Sequence, residues 1–244
     1  MKEEQKFLKA IQDSFNAFIA SGSSRSTAKL KPLHGYIAQE IANRLGDDYI
    51  IKSHGYGDDK EYKAEGKYMD KDVDISILNK HTQEFVTGIA VKFVMQNYKQ
   101  NSYNYFEGML GETSNIRSNN KPYYQIFIIL DKLPYYKNDE ENGKIISKWE
   151  KLTPRNMKKY IKLSYDNVDS NLHVPNNTLI YVVHINDEAD EQTINTQKKY
   201  LEYYKTNIPS VELSKNEYPE FNPNGSVIYN NFEKFMDKVY QAVV

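Results

Sequence analysis

The chain has 244 residues, 39% of them hydrophobic and 27% charged, with a formal net charge of -1 and no cysteine. That composition belongs to a folded domain rather than a disordered chain, and it excludes disulfides and thiolate-bound zinc. The near-neutral balance is not that of a general nucleic-acid coat, although a cleft can still be locally positive. The opening stretch MKEEQKFLKAIQDSF is charged and amphipathic, unlike a signal peptide. No apolar run approaches the ~20 residues needed to cross a bilayer, so the expectation is a cytoplasmic protein with no membrane partner.

In chain order, Leu8, Ile11, Phe15, Phe18 and Ile19 recur at helical spacing and predict a helix over 3–20. The polar run SGSSRST breaks it. A second helix is predicted from Leu33 to Leu45, with Gly46 placed to end it. YIIK, 49–52, reads as a short strand, followed by the polar, glycine-bearing connection HGYGDDKEYKAEGKY. KDVDISIL, 71–78, alternates and reads as one strand, NKHTQ as a turn, and EFVTGIAVKFV, 84–94, as the next strand, paired like a hairpin. A helix is predicted over 102–117 and an apolar, central strand over 123–130. Thr153 and Pro154 form an N-cap and N1 pair for a helix through Tyr165. TLIYVVHI, 178–185, is a further strand, and 189–205 and 229–243 read as helical. The expected fold class is α/β (α+β-like), a central mixed sheet flanked by helices, in a single domain over 1–244.

GIAVKF, 88–93, carries a lysine in an apolar strand. Strand side chains alternate, so Ala90 and Lys92 share a face, and a lysine on a dry face is costly unless paired. Asp72 and Asp74 share a face of the preceding predicted strand and are the natural partners. An aspartate can hold Mg2+ through oxygen, the metal can activate water, and a neighbouring lysine can steady developing negative charge. The structural alternative is a plain cross-strand salt bridge.

Asp…(Asp/Glu)-x-Lys on adjacent strands resembles the core of the PD-(D/E)XK nucleases, among them the type II restriction endonucleases. Asp74 matches the first acid and Lys92 the lysine; Val73 stands where proline is common, and Ala90 where the second acid is expected. The resemblance spans roughly residues 33–130, including FVMQNYKQNSYNYFEGMLGET. It implies a restriction-endonuclease-like core, with the C-terminal half completing the sheet and contributing to DNA recognition. Within that family a glutamate on the preceding helix lies near the metal, and Glu40 holds the comparable place. Some members move the missing acid onto the helix after the lysine strand. Glu107 is the expected replacement, Glu112 the alternative, and both flank Gly108 and Gly111, which are costly in a helix and suggest close approach of the sheet or a phosphate backbone.

The resemblance implies a Mg2+-dependent endonuclease in which Asp74 and Glu107 hold the metal and Lys92 positions the water, leaving 5′-phosphate ends. Its partners would be double-stranded DNA, a second copy of the chain if the target is palindromic, and a functionally paired DNA methyltransferase. Gln96, Asn97, Lys99, Gln100, Asn101 and Asn104 could contact bases or phosphates, as could Arg117 and Lys121. SGSSRSTAKLK could close over a backbone, whereas the run around Lys158, Lys159 and Lys162 reads as solvated surface. The five histidines lack metal-ligand spacing, though His54 follows a strand and could approach the site. Three alternatives stay open: a catalytically inactive DNA-binding protein on a nuclease fold, a repair-type nuclease of low sequence specificity, and an interaction protein in which Asp74 and Lys92 are only structural.

Overall fold

The computed structural model describes residues 2–22, 27–218 and 220–244. Residues 23–26 of the segment SGSSRSTAKLK lie outside them. The chain builds helices α1 (Glu3–Ser21) and α2 (Lys31–Leu45), strands β1 (Tyr49–Ser53), β2 (Tyr62–Ala64), β3 (Lys71–Val73), β4 (Ile75–Asn79) and β5 (Phe85–Val94), helix α3 (Tyr98–Arg117) and strand β6 (Tyr123–Leu130). Then come β7 (Lys132–Asp139), β8 (Gly143–Lys151), α4 (Pro154–Leu163), β9 (Asn177–Asn186), α5 (Gln197–Thr206), β10 (Ser210–Leu213), β11 (Val227–Tyr229) and α6 (Phe232–Val243).

Seven strands form one mixed sheet in the order β1-β4-β5-β6-β9-β10, with β11 also on β9. β1, β4 and β5 run antiparallel in turn, β5, β6 and β9 are parallel, and β10 returns antiparallel. All eight residues of β6 are buried, as expected of a parallel strand covered on both faces. Its alternation assigns the layers. Tyr124 packs on Phe235 of α6, whereas Gln125 bonds Thr113 of α3 and Phe127 meets Tyr160 of α4. Ala90 is level with Gln125, and Lys92 with Phe127, so both point to the α3 face. On the opposite layer Arg44 of α2 pairs with Glu3 of α1 at 2.7 Å and Asp237 of α6 at 2.6 Å.

The structure departs from the sequence reading in several places. β10 and β11 have no counterpart in it, and the helix predicted over 229–243 begins at Phe232, Tyr229 being the end of β11. The stretch 71–78 is not one strand. It breaks at Asp74, β3 pairing with β2 in a separate small sheet and β4 entering the main sheet. Helix α3 starts at Tyr98, ahead of the predicted start at 102, so most of the amide-rich stretch 95–105 is helical. The hairpin β7–β8 has no counterpart in the sequence reading, because its partly buried, lysine-rich strands and Pro134 lack a clean apolar alternation. The predicted helix 189–205 begins only at Gln197. Among the described residues no helix is long and apolar enough to cross a membrane.

Candidate metal centre and basic groove

Asp74 occupies the break between β3 and β4. The register of β4 on β5 ends with Ile75 opposite Ile89, which puts Asp74 one step further on, level with Ala90. Its Oδ2 accepts the Val91 N–H at 2.7 Å, and its carbonyl accepts the buried Ser53 hydroxyl at 2.8 Å. The strand break thus frees the carboxylate from the ladder while the backbone holds its direction.

Two residues that the sequence reading left aside meet it there. His34 of α2, Glu61 of the β1–β2 connection and Asp74 each offer a ligand atom, all within 4.8 Å of one another. Glu61 supplies the second carboxylate that Ala90 lacks, from a segment read only as a polar connection. His34 corrects the expectation that the histidines do not organise. No local spacing announces this group, because its members come from a helix, a loop and a strand end.

Local packing explains the convergence. Gly35 and Gly55 let α2 and the loop meet backbone to backbone: a Cβ on Gly35 would lie 2.3 Å from the Gly55 carbonyl oxygen. Gly55 has φ +75°, a conformation glycine adopts freely. Asp59 then pins the loop, accepting the Gly55 N–H at 2.6 Å and pairing with Lys31. His54 does approach the site: its Nδ1 lies 2.8 Å from the Asp59 carbonyl and its Nε2 3.7 Å from Glu61.

The electrostatics follow from burial and like charge. Burial pushes the Asp74 carboxyl up to about 6, against the lowering effect of the Val91 N–H, while the Glu112 carboxylate adds to the rise. Glu61 is raised by burial and then by Asp74. Burial brings His34 down to about 4, so its imidazole is neutral near pH 7. Carboxylates that repel one another and a neutral imidazole are suited to a divalent cation. His34 strengthens the fit: its side chain is buried and neither ring nitrogen has a hydrogen-bond partner among the described residues. Ligands about 2.1 Å from one ion stand up to about 4.2 Å apart, so the spread here needs only a small contraction.

Glu112, the alternative in the sequence reading, lies beside this group. It pairs with Lys71 at 2.9 Å and accepts from the buried Tyr123 hydroxyl. Glu107 is exposed on α3, and its side chain makes no hydrogen bond or ion pair among the described residues. Glu40 faces Tyr36, whose phenol is raised by burial and then by this carboxylate; it is not in the cluster. Lys92 is exposed rather than sealed in a dry face, and its ammonium sits 4.7 Å from the Tyr105 ring centroid, close enough to act on Asp74 through space.

Gly108 and Gly111 face open space rather than the sheet, for a Cβ on either would meet nothing among the described residues within 4 Å.

The proposed DNA contacts divide. Asn97 is a clasp: its N–H donates to the Pro134 carbonyl at 3.0 Å and its Oδ1 accepts the Tyr136 N–H at 2.9 Å, tying α3 to the β7–β8 hairpin. Gln100 and Asn101 bond back to Asn97. Arg117 donates to the carbonyls of Val168, Asn171 and Val174, and this holds a loop. Gln96 lines a small cleft with Lys92 and Tyr105, Asn104 is exposed, and Lys121 lies half-buried in the α3–β6 turn.

Lys99 belongs to a larger feature. The N-terminal end of α3, β8 and α4 enclose a groove of about 760 Å³ lined by Lys99, Lys148, Lys151, Arg155, Lys158, Lys159 and Lys162. Among the described residues that line it, the one acid, Glu150, is buried and accepts the Lys99 N–H at 3.2 Å. Lys159 is not solvated surface. It lies within 5.7 Å of the rings of Tyr98, Tyr103, Phe106 and Tyr160 and donates to the Ser102 carbonyl at 2.7 Å, and burial lowers it to about 8. Tyr103 is 71% exposed at the rim. Comparison of the chain with protein-family profiles, with curated proteins and with solved structures finds no match.

Proposed function

We propose that the chain is a metal-dependent endonuclease of the restriction type, hydrolysing phosphodiester bonds of double-stranded DNA to 5′-phosphate ends. The observation that carries this reading is the meeting of Glu61 and His34 with Asp74, opposite the position where Ala90 leaves the nuclease pattern one acid short. The order of helix α2, antiparallel strands β1, β4 and β5, helix α3 and parallel strand β6 fits the core that the resemblance implies. The basic groove supports a polyanionic substrate.

Asp74, Glu61 and His34 would hold the cation, Mg2+ in the resemblance. When bound, a divalent cation supplies Lewis acidity to the phosphate and lowers the pKa of water. Asp74 enters this role preorganised by the Val91 N–H. Lys92, exposed and steadied over Tyr105, can orient the attacking water or meet the charge that grows on the phosphate oxygens. Lys71 and Glu112 balance charge beside the acids and fix the position of the β2–β3 hairpin.

The test is cleavage of unmethylated DNA of known sequence with Mg2+, with Mn2+ and with EDTA. Discrete metal-dependent fragments are expected, with activity down by roughly 100-fold or more in Asp74→Asn, Glu61→Gln and Lys92→Met. A ladder would indicate a nuclease of low specificity. Tight binding without cleavage would leave a DNA-binding protein on this fold.

A further inference from the structure

Mg2+ is a hard cation that takes oxygen ligands and keeps its waters. Imidazole nitrogen suits the first-row transition cations, whose affinities rise from Mn2+ towards Cu2+. His34 sits at this dividing line. It is 2% exposed, its Nδ1 and Nε2 are both buried and find no hydrogen-bond partner among the described residues, and one of them lies within 4.8 Å of carboxylate oxygens of Glu61 and Asp74. Leaving a buried polar group unsatisfied is costly, and a purely structural core histidine would find a carbonyl or carboxylate to bond. This ring instead stands against two acids, held there by the backbone contact of Gly35 with Gly55.

We infer that His34 is a direct ligand, that the centre is a one-nitrogen, two-carboxylate set, and that it binds Mn2+ or a later first-row cation more tightly than Mg2+. This rests on the metal-dependent reading of the same cluster. The two carboxylates keep the site open to Mg2+, and the nitrogen adds affinity that only the softer cations realise.

The experiment titrates Mn2+ into the full-length protein without DNA, follows bound ion by electron paramagnetic resonance, and reads nitrogen coordination by electron spin-echo modulation. Nitrogen modulation is expected in the wild type and absent in His34→Gln. Mg2+ should displace Mn2+ only at about tenfold or greater excess, a ratio that falls towards unity in His34→Gln. Co2+ should be held more tightly than Mn2+. Bound Mn2+ without nitrogen modulation in the wild type overturns the inference, and so does an unchanged Mn2+/Mg2+ ratio in His34→Gln. If His34→Gln does not fold by circular dichroism, the wild-type modulation decides, together with Glu61→Gln, which should lose Mn2+ affinity. Nitrogen-coordinated Mn2+ in a protein that cleaves no DNA would uphold this ligand set and sink the nuclease reading. Mg2+-dependent cleavage with no nitrogen signal would do the reverse.

Discussion

Gly35 and Gly55 touch through their backbones, and a single methyl on Gly35 would stand 2.3 Å from the Gly55 carbonyl oxygen. Because that oxygen is main chain, it cannot swing aside. Gly35→Ala is expected to cost about 1–3 kcal/mol and to move His34 away from Glu61. Urea denaturation reads the first effect, and Mn2+ affinity reads the second. Unchanged affinity in a folded variant would show that this contact does not set the centre.

Glu112 and Glu107 should separate. Glu112→Gln loses the ion pair with half-buried Lys71 and changes the charge beside Asp74, so cleavage should fall by roughly tenfold or more. Glu107→Gln, on the exposed side of α3, should change it much less. The opposite ranking in parallel cleavage assays would return Glu107 to the metal.

Gly108 and Gly111 lie on an open helix face. Each Gly→Ala change should stabilise the fold by about 0.5–1 kcal/mol, since alanine restricts the unfolded chain and fits the helix. Denaturation midpoints measured at equal slope are the check. A loss of stability would mean the methyls meet something in the folded chain.

Arg155, Lys158 and Lys162 are exposed along one face of α4 in the groove. Their triple substitution by glutamine should weaken DNA binding in metal-free buffer. It should also reduce the slope of log affinity against log salt by about one for each phosphate that is no longer neutralised. Fluorescence anisotropy across a salt series measures both. An unchanged slope would remove the groove from the DNA-binding face.

Lys159 gives a pH signature. Its folded value, about 8, lies below the ordinary lysine value of 10.5. Between the two the unfolded chain binds more protons than the folded one, so stability rises with pH through that window and the penalty is fully present below it. Its surroundings are the rings of Tyr98, Tyr103, Phe106 and Tyr160 with Arg155, Lys158 and Lys162 alongside and Glu150 on β8. The raised tyrosines Tyr98 and Tyr160 act with opposite sign at higher pH, which closes the usable window near pH 10. Wild type should gain stability over Lys159→Met between about pH 7 and about pH 9.5. Parallel curves for the two proteins would show that the ammonium is fully solvated.

Much of the main sheet was legible because β5, β6 and β9 are long, apolar and bounded by turn residues. The hairpin β7–β8 was not, since a two-stranded ribbon lying on other elements buries too little to stamp a pattern on its sequence. The break at Asp74 was hidden by an unbroken alternation: Val73 and Ile75 are both buried, but in different sheets. In the centre, Asp74 and Lys92 were visible as polar residues in apolar strands. His34 and Glu61 were not, because their significance arises only when Gly35 meets Gly55. Lys159 looked like one of a basic run, and only the four rings around it distinguish it.

The three members of the centre belong to segments far apart along the chain: the start of α2, the approach to β2, and the joint between β3 and β4. An ion held by all three closes two loops at once. It would tie the three segments together in the folded chain and stabilise that state by mass action, in a protein that has no cysteine to make a covalent bridge. The same convergence that readies the centre for chemistry would then make the native state's stability depend on the supply of metal.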